Sequence, residues 1–571
     1  MAPILLLLAQ LAAPPLQQGP ARLPTEELLE QRGRPGQVPG PVLNDTFPKP
    51  NGPRPAAESP QVPPARVEIS TVPLVKGNSP YGPSQLQTIL HNCRDSNAGI
   101  ANNQKELLAC AAALTARLTA DGYINSRVYI LPGEAGVQLE IVEGHIVEIH
   151  IRCSDAELSA AVRRKLRPLI GQVLHLPTLE GQLALLKSLP GVGQLRASIS
   201  KLGSDPRQGI LTLTLQRQVP PWQGLFELRN DGNSGTGQWR SLATVVKNDL
   251  AFRGDTLLFY GEIDGNSTSE FGVSVGSISY TLPLGKQLKL INSIGVGRSQ
   301  IIEGDRILRG ISYQQLQNFT QLEWTIKDSL NNNINVFAGL SASRLDGFLN
   351  DQSAPVVFGG GAQGWLSTGY IRAGISFSSI QRHWLVSGSL YGLQGLTGFS
   401  SEQQLAELST WGIDPNRSRA LAGQLGFSRT VGQTIQLNLR AAAQLAFAPL
   451  SSDMRISVGS NNGIRGLPGS VISGDNGLLG SAELNWTLWQ GKQQAFQLVP
   501  FMGVGAVRSS SDTTRFDDGI GSFGLLGRWL GGRHYSLELG WVQQFSAQNN
   551  PGYWNSWLLG SGLYSKIQYR F

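Results

Sequence analysis

No run of 18 apolar residues occurs in the 571-residue chain, so a membrane-spanning helix is excluded. Charge is scarce. Asp, Glu, Lys and Arg make up 15% of the residues, where soluble proteins carry about a quarter. Three cysteines without a C-x-x-C pair give no metal site. Histidines such as His145, His150 and His175 are isolated, and no Ser-His-Asp, metal or phosphate-loop spacing stands out. No catalytic residue, cofactor or metal is therefore expected, and the chemistry is not bond-breaking. The net charge of +7 is modest for this length and does not point to nucleic acid. What the chain does have is glycine, 68 residues of it, with Trp, Tyr and Phe all well represented. This balance suits a transmembrane β-barrel, and it equally fits a soluble β-rich protein. Strand patterning has to separate the two.

The N-terminal part reads in segments. Residues 1–13 carry Ile4–Leu8 followed by small residues, the apolar core of a secretory signal, but with no Lys or Arg ahead of it. A start upstream of Met1 stays open. Residues 14–66 read as a linker: 15 of the 32 prolines fall in the first 66 residues, too many to build a core. Within it, Pro24–Glu30 could form a short helix. From residue 67 the spacing predicts β-α-α-β-β, with strands at 67–69, 125–131 and 137–142 and helices at 85–91 and 103–121. Cys93 and Cys110 lie on or beside those helices. A disulfide in an oxidising compartment and a simple core cysteine at 110 are both open readings. A second α/β segment runs from 150 to 219.

Residues 220–571 read as an all-β membrane barrel of 16 antiparallel strands. In 434–447, Ile435, Leu437, Leu439, Ala441, Ala443 and Leu445 share one face, and Gln436, Asn438, Arg440 and Gln444 the other. In 557–571, Trp557, Leu559, Leu563, Ile567, Tyr569 and Phe571 oppose Lys566, Gln568 and Arg570. Apolar residues outward and polar residues inward suit lipid outside and water inside. Long connections (346–362, 396–417, 448–477) alternate with short ones such as 283–286, 379–382 and 531–533. The loop 448–477 is unusual. Its glycine-rich stretch presents an apolar-Arg-Gly tip, Ile464-Arg465-Gly466-Leu467, which looks built to pack into something narrow.

Several motifs carry a resemblance. Gly122-Tyr123-Ile124-Asn125-Ser126-Arg127-Val128, then Glu140-Ile141-Val142-Glu143-Gly144-His145-Ile146, is similar to the first POTRA domain of two-partner secretion transporters. Pro190-Gly191-Val192 after a leucine-rich helix resembles their second. Asn230-Asp231-Gly232 through Gly237, and Asn248 through Asp255, resemble their first barrel hairpin. Ile464-Arg465-Gly466, the turn Gly474-Asp475-Asn476-Gly477 and Glu483-Leu484 resemble their inward-folded loop and the strand after it. The chain thus resembles the transporters of the ShlB/FhaC/HecB type in the Omp85 superfamily. Two departures matter. Leu467 stands where the family has an aromatic, and Gly503, in Phe501-Met502-Gly503-Val504-Gly505, stands where it has an Asp. A buried guanidinium needs another acceptor. By strand parity Glu483 and Glu538 both face inward, and Glu538 is the first choice.

The resemblance implies two POTRA domains, 67–149 and 150–219, in the periplasm and a barrel, 220–571, in the outer membrane. It implies a loop 448–477 anchored in the lumen by Arg465. The aromatic end, Tyr569 and Phe571, resembles the signal read by the barrel-assembly machinery. The implied partners are outer-membrane lipid and a secreted exoprotein with an N-terminal secretion domain, exported without ATP. The alternative within the superfamily is an insertase for outer-membrane proteins.

Overall fold

The computed structural model describes residues 75–76, 80–82, 84–86, 88–89, 103–547 and 562–571. Short gaps fall at 134–135, 188–190, 203–204, 219–220, 234, 267–269, 286, 304–308, 330, 358, 382–383, 433, 492, 510–516 and 533. The signal-like run, the linker with its short helix, the strand at 67–69, Cys93, Trp557 and Leu559 lie outside the described residues. The described residues divide into two compact units, one before and one from residue 220.

The first unit holds two three-stranded sheets with helices, α/β elements consistent with POTRA domains. In one, β1 (Val75–Lys76), β2 (Arg127–Gly133) and β3 (Gly136–Val142) take the order β1-β3-β2. Helix α1 (Asn103–Ala120) buries Leu107, Cys110, Ala111, Leu114 and Leu118 against Val128, Leu139 and Ile141. Those positions recur at helical spacing, so one face carries the core. Cys110 is disulfide-bonded and Cys153 is free. The other sheet orders β4 (His145–Arg152), β5 (Gly191–Leu202) and β6 (Asp205–Gln218) as β4-β6-β5. Helices α2 (Ala156–Leu166) and α3 (Leu176–Lys187) accompany it, and Asp155 caps α2 by accepting from Glu157 N and Leu158 N. β4 pairs with β6 from His145 to Arg152, with a bulge between Ile146 and Glu148, so the second sheet starts at His145. The expected division between 149 and 150 falls within β4, and Glu143-Gly144 separates β3 from β4.

The second unit is a closed barrel. Its first half comprises β7 (Trp222–Arg229), β8 (Trp239–Asn248), β9 (Thr256–Gly265), β10 (Phe271–Pro283), β11 (Leu288–Gln300), β12 (Ile311–Asp328) and β13 (Asn332–Leu349). A two-residue flap, β14 (Gln352–Ser353), precedes β15 (Trp365–Ile380), β16 (Trp384–Leu396), helix α4 (Glu402–Thr410), β17 (Arg419–Val431) and β18 (Ile435–Ala446). After the short strands β19 (Ile456–Val458) and β20 (Ile472–Gly474) come β21 (Asn476–Gln490), β22 (Gln494–Arg508), β23 (Asp517–Gly531), β24 (Tyr535–Ser546) and β25 (Gly562–Arg570). Without β14, β19 and β20, sixteen antiparallel strands close the ring, with β25 pairing β7.

Alternation explains the closure. Leu439 and Leu445 on β18, and Leu563 and Ile567 on β25, are exposed outward, whereas Gln444 and Gln568 on the same strands are buried inward. Exposed Trp222, Trp324, Trp384, Trp489, Trp529 and Tyr535 gather at the short-turn ends of their strands. There they form the aromatic girdle that marks a membrane interface. Among the described residues no helix is long and apolar enough to cross a membrane. The flap, α4 and the β19–β20 hairpin lie in the long connections 346–362, 396–417 and 448–477, for which the sequence pattern predicts no regular element.

Candidate functional site in the barrel lumen

The connection between β18 and β21 folds into the barrel, drawn by its apolar residues. β19 and β20 pair from Ile456↔Gly474 to Val458↔Ile472 and make a hairpin within the loop. Ile456, Val458, Ile464, Leu467, Val471 and Ile472 pack on the inward Leu479, Val507 and Ile520. Earlier in the loop, Leu450 and Met454 pack on Phe337, Tyr370 and Tyr391 of β13, β15 and β16. Removing such side chains from water is what holds the loop against the wall rather than in solvent. The turn that leaves the loop is equally fixed. Asp475 is fully buried and accepts from Leu450 N at 3.2 Å and Arg455 Nε at 3.0 Å. Gly474 ends β20, and at Gly477, the second residue of β21, a Cβ would lie 2.6 Å from Ile456 Cγ2.

The tip places four charges together. Arg465 Nη1 donates to the Glu538 carboxylate and its Nη2 to Glu483 Oε2 at 2.8 Å. Arg528 on β23 completes the square. It donates through Nε to Glu538 Oε1 at 2.8 Å, through Nη2 to Glu483 Oε1 at 3.0 Å and through Nη1 to Asn485 Oδ1 at 2.8 Å. Two guanidiniums and two carboxylates cancel, so none of these charges is left unpaired away from water, which would be the most costly arrangement. The Phe501 and Tyr564 rings each lie 5.9 Å from Arg465 Cζ.

The tip backbone is held too. Ser522 Oγ donates to Arg465 O at 2.5 Å, and Gln544 Nε2 to Gly466 O at 2.7 Å. Gly466 has φ +79, and a Cβ there would sit 2.4 Å from Val542 Cγ1. The position therefore requires glycine twice over, for its conformation and for its space. Ile464 and Leu467 are 0% and 2% exposed.

Sequence reasoning reached Arg465, Glu483 and Glu538 but missed Arg528, Ser522 and Gln544. All three face inward on β23 and β24. The register Arg528↔Glu538 would have exposed the first, had parity been applied to β23 together with pairing. Tyr569 and Phe571 take no part in this site. They lie on the outer face, where Phe571 stacks 5.9 Å from Phe226.

Comparison with known proteins gives one family and one fold. Residues 208–531 match the model of the haemolysin secretion/activation protein ShlB/FhaC/HecB. No curated protein matches the sequence. Among solved structures, CdiB from Escherichia coli has TM-score 0.56 at 17% identity, covering 100% of this chain and 99% of its own. CdiB from Acinetobacter baumannii has TM-score 0.50 at 17% identity, covering 96% and 99%. At that identity the two structures speak for the fold alone. The family match spans more than half of the chain, and the protein belongs to the haemolysin secretion/activation ShlB/FhaC/HecB family, outer-membrane transporters of the two-partner secretion type.

Proposed function

We propose that the protein exports one unfolded exoprotein through its barrel and that the loop 448–477 holds the lumen until that substrate arrives. The observation that carries this is the loop itself, fastened inside the barrel through Arg465 to Glu483 and Glu538. A permanent pore has no use for a neutral charge square holding a segment in its interior. The two α/β sheets face the periplasm in this reading. An edge strand such as β5 adds an extended segment of the exoprotein by main-chain hydrogen bonds. The segment displaces the loop, threads the lumen and folds outside, so that surface folding biases movement without ATP. Barrel insertion uses the assembly machinery, with Tyr569 and Phe571 in its signal, and the outer face meets outer-membrane lipid.

Deletion of the gene tests the substrate class. Loss of one exoprotein from the medium with an unchanged outer-membrane protein profile is expected. Loss of many barrel proteins would instead make the chain an insertase. Arg465→Ala tests the loop. Secretion should fall at least tenfold while heat-modifiable, folded barrel accumulates at the wild-type level. Wild-type secretion by that variant removes Arg465 from the mechanism.

A further inference from the structure

The loop is clamped in a second place. Arg240 on β8 is 2% exposed and donates through Nη1 to Ser460 Oγ at 3.0 Å and through Nη2 to Asn461 Oδ1 at 3.1 Å. Its other bonds go to the wall. Nε reaches Glu262 Oε1 at 3.1 Å, and Nη2 bonds the same carboxylate, which also accepts the Tyr260 hydroxyl at 2.5 Å. Asp264 and Asp231 stand 3.5 and 3.9 Å away. Arg240 is thus fixed by its strand neighbours and spends its remaining donors on the loop. Ser460 and Asn461 brace the loop's other limb in turn, through Ser460 N to Pro468 O and Asn461 N to Gly469 O, both at 2.9 Å. One guanidinium therefore holds both limbs.

The two clamps stand on opposite sides of the point where the barrel closes. Arg240 and Glu262 belong to β8 and β9. Glu483, Ser522, Arg528, Glu538 and Gln544 belong to β21, β23 and β24. Between them lie β7 and β25, joined by five register pairs, against eight for each flanking pair, β7–β8 and β24–β25. Inside, the Lys566 Nζ–Glu227 Oε2 pair at 3.0 Å crosses this short seam. The loop runs past the same seam and is bolted on either side.

We propose that Arg240 is a second positioning residue for the loop, and that the loop, clamped from both sides, straps the β7–β25 seam shut. The strap stands on this geometry; its bearing on secretion rests on the transport reading above.

Arg240→Ala would strand Glu262 and Asp264 and could prevent folding, so the test cuts the loop side. In Ser460→Ala/Asn461→Ala, Arg240 keeps its carboxylates. Amide hydrogen exchange of the full chain in nanodiscs should rise at least tenfold across 460–470. It should rise at least threefold across the seam segments 225–229 and 566–570, with the β12–β13 ladder unchanged. Wild-type protection in the loop overturns the second clamp. A loosened loop beside a fully protected seam overturns the strap. Secretion by the same variant is measured in parallel. Altered exchange with unaltered secretion supports the strap and removes loop release from the transport reading, so the two fail separately.

Discussion

Replacing Glu538 by Ala isolates the charge square. The carboxylate is 3% exposed and accepts from both Arg465 and Arg528. Its loss leaves two guanidiniums facing Glu483 alone. Removing one partner of a buried pair costs about 3–5 kcal/mol. Arg528 cannot leave its strand and keeps Glu483 and Asn485, so part of that cost weakens the barrel wall. Assigning roughly half to Arg465, about 2 kcal/mol of the tip's hold is lost, by the same rule. At 1.4 kcal/mol per tenfold, loop release should increase roughly 30-fold. The readout is amide exchange at Ile464, whose N–H donates to Gly459 O at 3.1 Å, with the β23–β24 ladder as internal reference. Glu538→Gln keeps an acceptor without the charge and should fall between wild type and Ala. A tip that exchanges within about threefold of wild type refutes the reasoning. So does equal loosening of tip and ladder, which would make Glu538 a strand-to-strand tie rather than a loop anchor.

Two further outcomes follow from local geometry. A Cβ at position 503 would lie 2.9 Å from Ile464 Cγ2, so Gly503→Ala should lift the tip at a cost of about 1–3 kcal/mol. The check is protease sensitivity of the loop in folded barrel, which should increase while the barrel's heat-modifiability persists. At the short β8–β9 turn, Asp255 is opposed by burial, but the Tyr280 hydroxyl and the N–H groups of Phe252, Ala251 and Leu250 outweigh it and lower its pKa to about 2. A depressed carboxylate contributes stability above its ordinary value near 4 and loses it as pH falls through the folded value. Urea unfolding of wild type should therefore weaken between about pH 4 and pH 2. Asp255→Asn should flatten that limb, and an unchanged acid profile in the variant would assign the limb to other carboxylates.

Much of the barrel is legible because lipid and water impose opposite demands on alternate residues. Leu439, Leu445, Leu563 and Ile567 show the outward set, and Gln444 and Gln568 the inward one. A strand that must satisfy both solvents writes its own period into the sequence. The hairpin β19–β20 and the helix α4 leave no such mark, since neither is bounded by lipid on one face. α4 is nine residues long and is fixed by a cap, Ser401 with Gln404, together with burial of Leu408 against Ile301, Tyr313 and Leu366. Those contacts come from distant connections that no local window contains.

The site divides along the same line. Parity along a single strand finds Glu483 and Glu538, because each is inward by count. It cannot find Arg528 or Arg240, whose importance lies in what the neighbouring strand and the loop place opposite them. Gly503 shows why position alone misleads. The family resemblance puts an Asp there, yet in this chain the missing side chain is the space into which Ile464 packs. The carboxylates come instead from β21 and β24, on either side of the guanidinium, and a second cation, Arg528, balances the second acid. What the anchor requires is neutrality around a buried Arg465 and room for its apolar neighbour. A glycine at 503 with two acids and two cations nearby meets both requirements. An Asp at 503 would meet the first only by displacing Ile464.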